Sequence, residues 1–145
     1  MRFKHPVSVL VVIYAQQTGR VLMLQRRDDT AFWQSVTGSL EPGETPRDAA
    51  LREVQEEVGI DIQAEGLMLR DTAKSIVFEI FPHFRHRYAP GVSHNREHWF
   101  TLALPAERAL ALSEHLAARW LPAAEAAALT CSWSNRQAIE EYVLC

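Results

Sequence analysis

Apolar positions follow two different rhythms along this chain. Val7 to Tyr14 reads VSVLVVIY, a nearly unbroken run rich in β-branched residues, which predicts a buried strand. A turn around Gln17 to Gly19 leads to a second strand at Val21 to Arg26, where alternation puts Leu22, Leu24 and Arg26 on one face. Strand-like segments recur at Ile62 to Leu69, Ser75 to Phe84 and His98 to Leu104, with a loop from Ala89 to Arg96 around Pro90-Gly91. Between Thr45 and Gly59 the rhythm changes. Ala50, Leu51, Val54 and Val58 repeat at three and four residues, which predicts a helix whose apolar stripe packs on a sheet. Thr45 is a good N-cap, Pro46 fits the first helical position, Asp48 completes a capping box, and Gly59 suits a left-handed stop. Two further helices are expected, one over AAEAAAL after Leu121-Pro122 and one from Ser134 to Val143, capped by Ser134-x-x-Gln137.

The polar side of the central helix is the unusual part. Glu53, Glu56 and Glu57 stand at i, i+3 and i+4, so three carboxylates share one face, expected to point outward from the sheet. Like charges held this close raise one another's pKa unless a cation intervenes, and clustered oxygen ligands suit a hard divalent ion such as Mg²⁺ or Mn²⁺. Arg52, four residues before Glu56, can steady the cluster by ion pairing without quenching it.

These residues lie within GSLEPGETPRDAALREVQEEVGI, which resembles the Nudix box, Gly-x5-Glu-x7-Arg-Glu-U-x-Glu-Glu-x-Gly-U with U aliphatic. Gly38, Glu44, Arg52, Glu53, Val54, Glu56, Glu57, Gly59 and Ile60 fill every specified place. The resemblance implies an α/β fold, an α/β/α sandwich with a mixed central sheet and a loop-helix-loop catalytic motif. It also implies hydrolysis of a diphosphate linked to another moiety by metal-assisted water attack on phosphorus. Where many members carry Pro-Gly-Gly, this chain has Thr37-Gly38-Ser39. The segments VSVLVVIYA, VLMLQRRDD, FWQSVTGS, FRHRYAPGV, LPAER and SWSNRQAIE resemble the folate-pathway branch of the family, which removes pyrophosphate from a pterin triphosphate. On that likeness Lys4, Arg26, Thr37, Phe78, Glu79, Ile80, Phe81, Ser132 and Asn135 contact substrate. On the same likeness Glu53, Glu57 and Glu114 would carry metal; the shared helix face adds Glu56 as a further expected ligand, and Glu53 or its box neighbour Glu56 is the expected general base beside Arg52.

Glu114 is singled out because one helix cannot surround an ion, so a second element must supply oxygen. It stands alone among apolar and small residues in LSEHLAARWL, while Glu97, Glu107 and Glu79 compete more weakly. Of the six histidines, His83, His86, His94 and His98 crowd one region, but they have neither cysteine partners nor a helical zinc spacing. Arg85, His86, Arg87 and Arg96 form either a basic rim near an anionic substrate or a solvated edge.

Composition narrows the field. At 145 residues and 48% hydrophobic, the chain fits a single catalytic domain over 1–145 with a real core. A formal charge of −3 predicts no bulk attraction to nucleic acid, and no apolar run approaches the roughly 20 residues needed to span a bilayer. Cys131 and Cys145 make no disulfide framework, which suits a reducing cytoplasm. No obligate protein partner is evident. Two other readings stand beside pterin triphosphate hydrolysis: a house-cleaning hydrolase of nucleoside triphosphates, and a ligand sensor that keeps the fold without turnover. Markers of two other branches, a proline and a tyrosine beyond the box, are replaced by Ser75 and Val77.

Overall fold

The computed structural model describes residues 3–113 and 115–144. Its strands are β1 (Val7–Ala15), β2 (Val21–Arg26), β3 (Trp33–Gln34), β4 (Val36–Ser39), β5 (Leu69–Glu79), β6 (His94–Leu104) and β7 (His115–Leu121), and its α-helices are α1 (Pro46–Val58), α2 (Ala123–Leu129) and α3 (Trp133–Ile139). The strands form one mixed sheet in the order β3-β2-β1-β6-β5, with β4 on β1 and β7 on β2. β1 and β6 run parallel from Val7↔Arg96 to Ala15↔Leu104; the other pairings are antiparallel.

Side-chain alternation along β1 explains the layers. Val9, Val11 and Ile13 join Leu22, Leu24, Phe100 and Leu102 beneath Ala49, Ala50, Val54 and Val58 of α1. Leu10 and Val12 point the other way and join Val21, Met23 and Trp99 under Ala126, Ala127, Ala138 and Ile139 of α2 and α3. A strand buried on both faces reads as a continuous apolar run, which is why β1 was plain in the sequence.

Helix α1 ends as expected. Thr45 accepts from the Asp48 backbone, Asp48 accepts from the Thr45 backbone, and Gly59 closes the helix at φ 72°. Elsewhere the structure corrects the expectations. Residues 62–66 are turn, not strand, and the strand expected at Ser75 to Phe84 starts earlier and stops at Glu79. It is broken by a bulge between Asp71 and Ser75, where Ala73 takes φ 60° and its N–H reaches Asp71 Oδ1 at 2.8 Å. Beyond Glu79, Pro82 opens a 3₁₀ turn over Pro82–Arg87. β6 begins at His94, inside the expected loop. The last helix is capped by Ser132, not Ser134, and passes after Ile139 into a wider turn over Glu140–Leu144.

Candidate active site

The site begins where β4 crosses under α1. A side chain at Gly38 would run into the Glu53 carboxyl, so this glycine lets the helix bring its acid against the strand. The glutamate face is therefore not outward as expected: Glu53 is 8% and Glu57 1% exposed, while the Glu56 side chain stays half exposed. Glu53 and Glu57 hydrogen-bond to each other through their side chains, and burial raises the Glu53 pKa against the opposing pull of Glu57 and Arg52.

Arg52 organises the acidic face of the helix. Its Nε and Nη2 grip both Glu44 oxygens at 2.8 Å, its Nη1 reaches Glu53 at 2.6 Å and Glu56 at 3.2 Å, and Nη2 also donates to the Ser39 carbonyl at 3.1 Å. Hydrogen bonding to Glu44 and Glu53 raises the guanidinium pKa further, and the same contact lowers that of Glu44. One cation thus ties the loop before α1 to the helix and leaves the acidic group with surplus negative charge. Among the described residues no group of three or more His, Cys, Asp or Glu side chains converges as a ready cage. The donors still fit a hard divalent ion, because Mg²⁺ is commonly held by one or two carboxylates and completed by water and phosphate oxygens. Glu114, expected as a further ligand, lies outside the described residues.

Sequence reasoning missed the neighbouring His115. It opens β7, is buried, and places Nε2 3.5 Å from Glu57 Oε1 and 3.5 Å from Gln34 Nε2. Only the pairing of β7 with β2 brings it there, and HLAARWL carries too many small residues to read as a strand.

From the acidic helix a cleft of about 380 Å³ runs across the sheet, and the expected substrate contacts line it. Lys4 is held there by a backbone bond from its N–H to the Arg87 carbonyl at 2.8 Å. Loss of hydration at its ammonium end lowers the Lys4 pKa, and the positive charges of Arg87 and Arg26 lower it further. Arg26 sits just after a register shift in β2, its guanidinium 4.4 Å from the centre of the Phe84 ring and bonded to both Asp28 oxygens at 2.7 and 2.6 Å. Arg87 pairs with the same carboxylate, and hydrogen bonding to Arg26 holds Asp28 down to about 2. Arg87 thus belongs to the basic rim, whereas Arg85 turns to Glu79 and Arg96 to Ser75.

Phe78, Glu79, Ile80 and Phe81 form one wall at the end of β5, and Ser132 and Asn135 form another. The Asn135 amide is engaged with Ser35, accepting from its N–H at 2.7 Å and donating to its hydroxyl at 3.0 Å; the Thr37 hydroxyl donates to the Val9 carbonyl at 2.9 Å. Glu97, a weaker competitor for the metal, lies instead on the face of β6 turned toward α3, accepting from Trp99 Nε1 at 3.0 Å and from the Ser134 side chain. Glu107 is bound to Arg20 at 2.8 Å and lies outside the cleft.

Comparison with known proteins agrees with this geometry. The dihydroneopterin triphosphate diphosphatase of Escherichia coli K12 is 66% identical over 142 residues, covering 98% of this chain and 95% of that protein. The Haemophilus influenzae protein of the same name is 51% identical, covering 99% of this chain and 90% of its own. The solved structure of the E. coli dihydroneopterin triphosphate pyrophosphohydrolase superposes with a TM-score of 0.98 at 65% identity, covering 99% of both chains. The NUDIX domain model matches residues 4–142, and with the box helix, the mixed sheet and the acidic cleft in place, the chain belongs to the Nudix family of hydrolases.

Proposed function

We infer that this chain hydrolyses dihydroneopterin triphosphate to the monophosphate and pyrophosphate, a step of folate biosynthesis. The observation that carries this reading is a single cleft lined by buried Glu57, to which Glu53 is hydrogen-bonded, and by a cationic rim of Lys4, Arg26 and Arg87, in a chain alike over nearly its whole length to enzymes of that name. Membership of the family brings a need for a divalent metal, which we assign as Mg²⁺ with Mn²⁺ able to replace it. Glu53 and Glu57 would hold it with help from Glu56 and Glu114, and when bound it supplies neutralisation of phosphate charge and a more acidic water.

The protein's own groups do the rest. Lys4, Arg26 and Arg87 bind the triphosphate tail, the arginines by paired N–H donors that match phosphate oxygens. Arg52 orients Glu53 through the 2.6 Å contact. Glu53 takes the proton of the attacking water; burial has already raised its affinity for one, and Glu56 is the alternative acceptor at the rim. Phe78 and Phe81 wall the ring end of the cleft. We place the enzyme in the cytoplasm, acting on a small molecule and not on nucleic acid; among the described residues no helix is long and apolar enough to cross a membrane.

The decisive experiment compares kcat/KM for dihydroneopterin triphosphate with that for each dNTP in Mg²⁺ and identifies the phosphorus product. Preference for the pterin with pyrophosphate release is expected. Preference for a dNTP would favour a house-cleaning hydrolase, and orthophosphate release would overturn the reaction.

A further inference from the structure

The cleft wall holds a second buried acid, besides Glu57, with no place in the hydrolysis. Glu97 is 4% exposed, lines the cleft, and has no ion-pair partner among the described residues. Its protein partners are neutral: Trp99 Nε1 donates to Oε1 at 3.0 Å, and the Ser134 side chain also bonds to the carboxyl. A carboxylate offers about four lone-pair sites, so two protein donors leave acceptor capacity facing the cleft.

Two residues earlier on the same face of β6, Asn95 adds to it. Its Nδ2 donates to Ser8 Oγ at 2.7 Å, which fixes the amide orientation, and its Oδ1 is buried without a hydrogen-bond partner among the described residues. Asn95 is 1% exposed and lines the same cleft. An orphaned buried acceptor beside an acid held only by neutral donors is expensive to maintain unless a ligand completes both.

Charge decides which part of a ligand does so. An anionic tail is drawn to Lys4, Arg26 and Arg87 and repelled by Glu97, which leaves the ring system as the part for Glu97 to meet. We propose that Glu97 and Asn95 together read the donor edge of the substrate's ring, the adjacent ring N–H and exocyclic NH₂ of a 2-amino-4-oxopyrimidine. This rests on the substrate reading above. Both protein groups present acceptors, the ring edge presents two neighbouring donors, and a planar carboxylate matches two parallel N–H bonds. A thymine ring offers one N–H between two carbonyl oxygens, which Glu97 would repel. Burial pushes the Glu97 carboxyl up to about 7, as expected of an acid kept from water until donors arrive.

The test measures kcat/KM of the wild type and Glu97→Gln on dihydroneopterin triphosphate and on dTTP, together with the binding of free neopterin by its own fluorescence. The Gln variant should lower the pterin-to-dTTP ratio at least about 30-fold, the loss expected for one charge-assisted hydrogen bond, and weaken neopterin binding in parallel. Should the Gln variant not melt cooperatively, Glu97→Asp keeps the charge but withdraws it by one methylene, and it gives the same readout. A ratio unchanged in the variant, whether both activities persist or fall in step, overturns the assignment while leaving the hydrolase reading intact. Failure of the wild type to turn over dihydroneopterin triphosphate removes the substrate reading itself, and this inference with it.

Discussion

Glu53 and Glu97 are both buried glutamates, one bonded to the cleft-lining Glu57 and one itself in the cleft wall, yet they are held in opposite ways. Glu53 has a guanidinium at 2.6 Å and a second carboxyl in contact, whereas Glu97 has an indole N–H and a hydroxyl. Burial raises the pKa of both, but at Glu53 Arg52 pulls in the ionising direction as well, and at Glu97 only neutral donors do. Glu53 therefore has a cation beside it that offsets part of what burial does. Glu97 is balanced between protonated and ionised near neutrality, where small changes in what it faces matter most.

The largest effect should come from removing the charge at Glu53 or its partner Glu57. Glu53→Gln and Glu57→Gln are expected to lower kcat roughly a thousandfold with the fold retained by circular dichroism, and near-normal turnover in both would dissolve the distinction between the two acids. At the second acid the expected signature is in stability. Glu97 titrates at about 7 in the fold against 4.5 ordinarily, so between these values the folded protein holds a proton that the unfolded chain releases. Its unfavourable contribution grows as pH rises through that window, to roughly 3 kcal/mol by pH 8. Urea midpoints should therefore show Glu97→Gln gaining on the wild type at pH 8 relative to its standing at pH 4.5; a difference independent of pH would contradict the neutral-donor picture.

A smaller shift should separate the two by ligand. Millimolar Mg²⁺ is expected to raise the wild-type Tm by a few degrees and that of Glu57→Gln by less, while leaving the increment of Glu97→Gln intact. A melt insensitive to the ion would count against Glu53 and Glu57 as its holders. Least of all, Ser132→Ala should cost about 1 kcal/mol by uncapping α3, the helix that carries Ser134 to Glu97, measured by the same urea titration.

How much of this was legible in the sequence divides along the same line. Everything about α1 is local: cap, glycine stop, apolar period and acid spacing lie within one short stretch, and helix physics connects neighbours three and four apart. What that stretch could not tell is which way the acids face, because burial of Glu53 depends on Gly38 passing beneath it from another element. The surroundings of Glu97 were hidden for a stronger reason. Ser8, Asn95, Glu97 and Ser134 come from three elements brought together by a parallel pairing of β1 with β6 and by the docking of α3. His115 was invisible because its strand is poor in strand formers, and the bulge in β5 was masked by Thr72-Ala73-Lys74, ordinary residues that carry no glycine to mark a positive φ. Two serines near the start of α3 could each have capped it; Ser134 is the one the fold buries, leaving Ser132 to do the capping.

Asp28 carries a last consequence. Clamped by Arg26 and contacted by Arg87, it fills the donor sites that the proposed triphosphate tail would use. On the proposed binding mode a departing anion would leave no two bare guanidinium groups side by side, since Asp28 is a counter-ion tethered within reach of both. Such an exchange would keep the grip on the tail reversible, and the expected sign is slower pyrophosphate release in Asp28→Asn, seen as a burst before steady state.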